Sequence, residues 1–125
     1  MSVTPQILAA FVAAMHVAIF VMESVLWMRP AVYRRFGVAG HEEATITRRF
    51  AYNQGFYNLF LAVGIVVGLI LLHTDAVDAG RALVVFGCGC VLAAALVLAA
   101  SGRRMLRAAV VQGLPAALAL LSLAL

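Results

Sequence analysis

Four long runs of apolar residues, separated by short polar segments, divide the chain. Each run is close to the ~20 residues that a helix needs to cross a hydrocarbon core of about 30 Å. Because the connections are short, helices that are neighbours in sequence are expected to pack antiparallel. The pattern therefore predicts an all-α membrane protein. We expect a four-transmembrane-helix antiparallel bundle, a single transmembrane domain over residues 1–125 with spans at about 5–28, 50–72, 82–100 and 108–125.

Local signals refine the ends of the first two spans. Pro5 suits the first turn of a helix, and Trp27 is expected to mark the interfacial end of the first span. Pro30 then discourages continuation of that helix. The segment "GHEEATIT" is expected to begin the second helix early, because Glu42 and Glu43 would lie in a first turn where acids suit the helix dipole.

Composition and charge agree with this class. The chain is 66% hydrophobic and 11% charged, with too few polar groups to cover a soluble domain of 125 residues. All nine basic residues are arginine: five lie in the first connection, three in the third and one in the middle. The positive-inside rule predicts that the first and third connections are cytoplasmic and that both termini lie on the outer side. The membrane that we expect is a bacterial inner (cytoplasmic) membrane. The arginines would meet anionic membrane lipids, so we expect no nucleic-acid partner.

The first span carries two ionisable groups on one face. Residues at helical spacing form a single stripe of Ala9, Ala13, His16, Phe20, Glu23 and Trp27. The small residues indicate the packed side, so His16 and Glu23 are expected to face other helices. A carboxylate at this depth costs on the order of 2 to 3 kcal/mol, so Glu23 needs a partner, a cavity water or a proton. The alternative is a purely structural pair with Gln54, Gln112 or an arginine of the first connection.

The second span contains an unusual set of polar residues, Asn53, Gln54, Tyr57 and Asn58. A helical wheel places Asn53 and Tyr57 on one stripe with Gly64 and Gly68, whose GxxxG spacing lets helices approach closely. Gln54 and Asn58 fall on the adjoining stripe. Because polar and small residues share this side, we expect it to face inwards and the bulky apolar side to face lipid.

The polar residues of three spans are predicted to lie at a similar depth. At 1.5 Å per residue, Glu23, Gln54 and Gln112 each lie roughly 8 to 9 Å inward from the cytoplasmic arginine of their own span. We therefore expect a polar intramembrane cluster in the cytoplasmic half of the bundle. Its predicted members are His16, Glu23, Asn53, Gln54, Tyr57, Asn58 and Gln112. These residues supply too few ligands for a metal site, and no cofactor is expected.

Three segments carry a family resemblance: "HVAIFVMES", "NQGFYNLFLAVG" and "VQGLPAALALL". Together they resemble a family of small bacterial and fungal membrane proteins known as domain of unknown function 1304, and the resemblance covers essentially the whole chain. It implies four transmembrane helices and no particular activity. The motif positions that it singles out are His16, Glu23, Asn53, Gln54, Gly55, Tyr57, Asn58, Gln112, Gly113 and Pro115.

Three functions stay open at this point. The interpretation that we prefer is binding or transport of a small or lipid-like ligand in a cavity around Glu23. The second is a membrane-embedded isomerase or epimerase with Glu23 and His16 as acid and base, although an axial gap of ~10 Å separates the two. The third is a structural or accessory subunit in which the amides only fix helix register. The arginine bias disfavours antiparallel pairs of the small multidrug exporter kind and allows a parallel homo-oligomer.

Overall fold

The structure, a computed structural model that describes residues 1–125, is entirely helical. Five α-helices follow one another without any strand. Their bounds are α1 Val3–Phe20, α2 Pro30–Tyr33, α3 His41–Leu71, α4 Val77–Ala100 and α5 Leu106–Ala124. A π-helical turn, Val21–Val25, continues α1, and short 3-10 turns follow α2 and precede α5.

Four of the helical segments are long and apolar enough to cross a membrane, which confirms the predicted number of spans. These segments are Val3–Val25, His41–Leu71, Val77–Ala100 and Arg103–Ala124. The second begins at His41, as "GHEEATIT" predicted, with Glu42 and Glu43 in its first turn. The Glu43 carboxylate accepts a hydrogen bond from the backbone N–H of Ala39 at 3.3 Å, which supports the start of this helix. The predicted side of the membrane for each terminus stays a prediction.

The chain forms two compact units: a first unit of Met1–Met15 with Ala62–Leu125, and a second unit of His16–Leu61. The expectation of a single domain stays a prediction.

In the first unit, small residues bring helices into close contact. A Cβ added to Gly68 would lie 2.9 Å from the carbonyl oxygen of Gly80, so α3 and α4 touch through their backbones. The side chain of Ile65 fills the space that a Cβ on Gly87 would need. The prediction of close packing at Gly68 is therefore confirmed.

The end of the first unit that holds the connection between α3 and α4 carries a polar contact. His73 Nε2 and Gln6 Oε1 lie 2.9 Å apart, which joins the start of α1 to the residues after α3. Both side chains are partly exposed, so this hydrogen bond is open to solvent exchange.

In the second unit, the first connection folds onto a small hydrophobic core. Its buried residues are Trp27, Tyr33, Val38, Ala44 and Ala51. The indole Nε1 of Trp27 donates a buried hydrogen bond to the carbonyl oxygen of Ala44 at 3.1 Å. We expected Trp27 to be an interfacial marker, but its ring is only 6% exposed because the connection packs over it.

Candidate functional site

Glu23 lies in the π-helical turn that ends the first span. The backbone N–H of Leu26 donates to the carbonyl oxygen of Val21 at 2.9 Å, five residues earlier, and this wider turn replaces the last α-helical turn. Such turns are rare, and those that do occur are often found at functional sites. The sequence contains no proline or glycine between Val21 and Val25 that would have predicted the change.

The Glu23 carboxylate is buried and bonded to the second span. Its Oε1 accepts a hydrogen bond from Asn58 Nδ2 at 2.8 Å, and the two side chains are 7% and 8% exposed. The same Asn58 nitrogen donates to the carbonyl oxygen of Gln54 at 3.1 Å. Both protons of this amide are therefore engaged, which fixes its donor side towards Glu23.

Only one of the two carboxylate oxygens is occupied. Oε2 of Glu23 forms no hydrogen bond and no ion pair within the chain. A carboxylate can accept several hydrogen bonds. Glu23 is therefore a buried acceptor with capacity left for a donor from outside the chain.

The contact between the π-helical turn and α3 is tight next to Glu23. The Ser24 hydroxyl donates to the backbone carbonyl oxygen of Tyr52 at 2.7 Å. A Cβ on Gly55 would overlap the Ser24 hydroxyl oxygen, so only glycine fits there. Sequence reasoning missed the role of Ser24, and it found Gly55 only through the family resemblance. The available signal was a serine directly beside the buried acid.

Aromatic rings pack against one another in the same unit as Glu23 and Asn58. Phe20 and Phe56 meet edge to face with ring centroids 5.1 Å apart, and Tyr52 lies 5.0 Å from Phe56. Phe20 belongs to the stripe that sequence periodicity assigned to the packed side of the first span.

The predicted inward stripe of the first span is confirmed by burial. Ala9 and His16 are fully buried, Ala13 is buried, and Glu23 and Trp27 keep only small exposed fractions. The participation of His16 in a ligand site stays a prediction.

The predicted inward face of the second span is wrong at three positions, although Asn58 and Gly68 are buried as predicted. Asn53, Gln54 and Tyr57 are exposed, and Tyr57 has 66% of its surface accessible. The buried positions of α3 are Ala44, Ala51, Gly55, Asn58, Ala62, Ile65 and Gly68. The amide of Asn53 is satisfied by its own helix, since Nδ2 donates to the carbonyl oxygen of Arg49 at 3.1 Å. An amide in a helix thus needs no partner helix, so its presence alone does not identify the packed face.

Gln112 lies on α5 next to Gly113, where it is half-buried and forms no hydrogen bond within the chain. Gly113 itself is a close-packing position, because a Cβ there would lie 2.6 Å from the Cβ of Ala95. The structure thus joins Glu23, Asn58 and the backbone of Gln54. The membership of Asn53, Tyr57 and Gln112 in one ligand site stays a prediction. No group of three or more His, Cys, Asp or Glu side chains is placed to hold a metal ion.

Comparison with known proteins yields one finding. The family model described as "Protein of unknown function (DUF1304)" matches residues 10–124. Neither the curated proteins nor the solved structures contain a significant match to the chain.

Proposed function

The chain belongs to the family described as protein of unknown function DUF1304, and from this premise we propose that it binds or transports a small or lipid-like ligand at Glu23. The setting that we propose is a bacterial inner membrane, crossed four times. The family description names no activity, so the proposal rests on the chemistry of the site.

The observation that carries the proposal is the half-occupied carboxylate. Asn58 satisfies one oxygen of Glu23, and the other oxygen has no partner within the chain. An ionised acid in a membrane span is costly unless a cation, a donor or a proton compensates it. A ligand that carries an ammonium, hydroxyl or amide donor would supply that compensation.

The unit that contains Glu23 suggests the chemistry of the part of the ligand that does not contact the carboxylate. The rings of Phe20 and Phe56 pack against each other in this unit. Its polar contacts near Glu23 are the hydrogen bonds to Asn58 and between Ser24 and Tyr52. Sites for small ligands are typically apolar with a small number of placed polar groups. A molecule with one donor group and an apolar body fits this chemistry.

A structural or accessory role is the second candidate, and a specific observation favours it. Glu23 and Ser24 both bond to α3, and Gly55 leaves no space between the two segments. Interhelical hydrogen bonds in membranes contribute about 0.6 kcal/mol on average, which is enough to select a register. In that case the carboxylate would serve helix packing only.

Replacement of Glu23 by Gln separates the two candidates. The amide of Glu23→Gln keeps an oxygen that can accept from Asn58, but it removes the charge. We expect the variant to fold with a thermal unfolding midpoint close to that of the parent protein, and to lose any co-purified molecule that native mass spectrometry detects on the parent. The matched control is Glu42→Gln, the same change at an exposed position outside the apolar part of α3; it should keep the molecule.

Each outcome decides between the candidates. If Glu23→Gln fails to fold while Glu42→Gln folds, the structural role is supported. If Glu23→Gln folds and keeps the same bound molecule, the ligand does not depend on the carboxylate and the proposal is wrong.

A further inference from the structure

A shallow apolar groove of about 230 Å³ runs between α4 and α5. Its buried residues are small, among them Ala95, Ala109 and Gly113, while large exposed side chains such as Leu96 and Leu114 stand at its sides. The groove is open along its length and has no polar side chain in its lining.

One end of the groove lies at the turn between the two helices. The lining residues Ala99 and Leu106 flank this turn on α4 and α5. At 1.5 Å per residue, the lining from Leu106 to Ala117 extends roughly 16 Å along α5. That length suits an extended hydrocarbon chain that enters from the turn.

The turn carries an unbalanced positive charge. Arg103, Arg104 and Arg107 are all exposed, and none forms an ion pair within the chain. They surround the N-terminus of α5, whose first turn contains no acid. The N-terminus of a helix is the unfavourable end for cations, because the helix dipole is positive there.

We propose that the groove between α4 and α5 holds an acyl chain of an anionic phospholipid whose phosphate binds the arginines at the start of α5. The anion would compensate both the arginine charges and the dipole, and helix N-termini are well suited to phosphate. Basic sites between transmembrane helices bind anionic headgroups in the same way. A second copy of the chain fits this place less well, since a parallel arrangement would bring two sets of arginines together.

The site uses none of the residues of the Glu23 site, so the two proposals stand or fall independently. The acidic side chains of the first unit are Asp75, just before α4, and Asp78, in its first turn. At 1.5 Å per residue, Asp78 lies roughly 33 Å along the helix axis from the Ala100 end of α4. No acid of this unit competes with phosphate for the arginines.

The experiment compares two lipids with identical acyl chains, dioleoyl phosphatidylglycerol and dioleoyl phosphatidylcholine, bound to the detergent-purified full chain in native mass spectrometry. We expect the parent protein to retain the anionic lipid preferentially. The double variant Arg103→Gln/Arg104→Gln should weaken phosphatidylglycerol binding about tenfold and leave phosphatidylcholine unchanged. Its matched control, Arg34→Gln/Arg35→Gln, removes the same charge from exposed positions of the first connection and should retain the preference.

A second pair of variants tests the groove itself. Ala99→Leu fills the groove near the turn, whereas Ala94→Leu places the same side chain on an exposed position of α4 that does not line it. We expect only Ala99→Leu to reduce retention of both lipids. If the two arginine double variants lose the same amount of bound phosphatidylglycerol, the effect is one of general surface charge and the proposed headgroup site is wrong. If Ala99→Leu retains both lipids as well as the parent does, the groove does not hold the acyl chain.

Discussion

Glu23 and Ser24 are neighbours in the π-helical turn, and each makes a different kind of contact with α3. Glu23 bonds to the side-chain amide of Asn58, while Ser24 bonds to the backbone carbonyl of Tyr52. Gly55 provides the space that the Ser24 contact needs. The contact between the π-helical turn and α3 thus depends on a glycine and on the serine next to the buried acid.

Gly55→Ala tests this dependence. The added Cβ would overlap the Ser24 hydroxyl, so we expect a loss of about 1 to 3 kcal/mol in the free energy of unfolding. Reversible unfolding in mixed detergent micelles measures the change. The double variant Ser24→Ala/Gly55→Ala should recover part of the loss, because it removes the overlapping oxygen.

The control for this prediction is Gly64→Ala in the same helix. A Cβ at Gly64 meets no atom within 4 Å. Alanine also has a higher helix propensity than glycine, so this variant should be neutral or slightly more stable. Equal destabilisation by Gly55→Ala and Gly64→Ala would contradict the assigned contact.

At the scale of elements, the first connection is a folded part of the second unit. Trp27 bonds to the carbonyl oxygen of Ala44, and Phe36 packs against its ring with centroids 5.3 Å apart. The Val38 backbone N–H donates to the carbonyl oxygen of Tyr33 at 3.2 Å, which closes the segment after α2. The connection therefore packs with the start of α3 in one hydrophobic core.

Trp27→Phe should loosen this connection. Phenylalanine keeps a ring in the core but removes the donor to Ala44 and some volume. A lost buried hydrogen bond costs about 1 kcal/mol, which raises the locally opened population roughly fivefold. Trypsin cleavage after Arg34 and Arg35, followed over time in detergent, measures the opening.

The control for the trypsin experiment is Gln6→Ala, which removes the hydrogen bond to His73 in the first unit. Cleavage in the first connection should stay at the parent rate in this variant. If the Trp27→Phe protein is cleaved no faster than the parent, the hydrogen bond from the indole to Ala44 does not stabilise the first connection.

The helices differ in how well their faces could be predicted. In α1, alanines at helical spacing share a stripe with His16, so periodicity alone identified the buried side. In α3, Gly64 and Asn53 suggested an inward face, but α3 packs through the side of Ala51 and Gly55. A side-chain amide can bond to its own helix, which a sequence pattern cannot distinguish from a bond between helices.

The candidate site, too, could be predicted from the sequence only in part. Sequence reasoning identified Glu23 from the cost of a carboxylate in an apolar span, and its bond to Asn58 lies among the predicted cluster residues. The π-helical turn has no sequence signal, because it depends on how the end of the first span packs. The burial of Trp27 likewise depends on contacts with a distant segment, at Ala44.

At the scale of the whole molecule, the number of spans and the arginine distribution together predict a topology. Four helices are long and apolar enough to cross a membrane, and four crossings would bring both termini to the same side. The structure places Arg48 and Arg49 within α3 and Arg81 within α4, and the other six arginines in the connections, the 3-10 turns or the first turn of α5. The middle connection, with Asp75 and Asp78, has no excess of arginine.

The topology predicts how single cysteines will react in intact cells. In a background with Cys88 and Cys90 replaced by alanine, Thr74→Cys in the middle connection should react with a membrane-impermeant maleimide from outside. Ser101→Cys, beside the arginines of the third connection, should react only after the cells are permeabilised. The physical reason is the charge bias: the first and third connections carry five and three arginines and the middle one carries one, and the positive-inside rule predicts that the arginine-rich connections stay in the cytoplasm. Labelling of Ser101→Cys from outside, with Thr74→Cys protected, would reverse the topology and place the proposed lipid site in the outer leaflet.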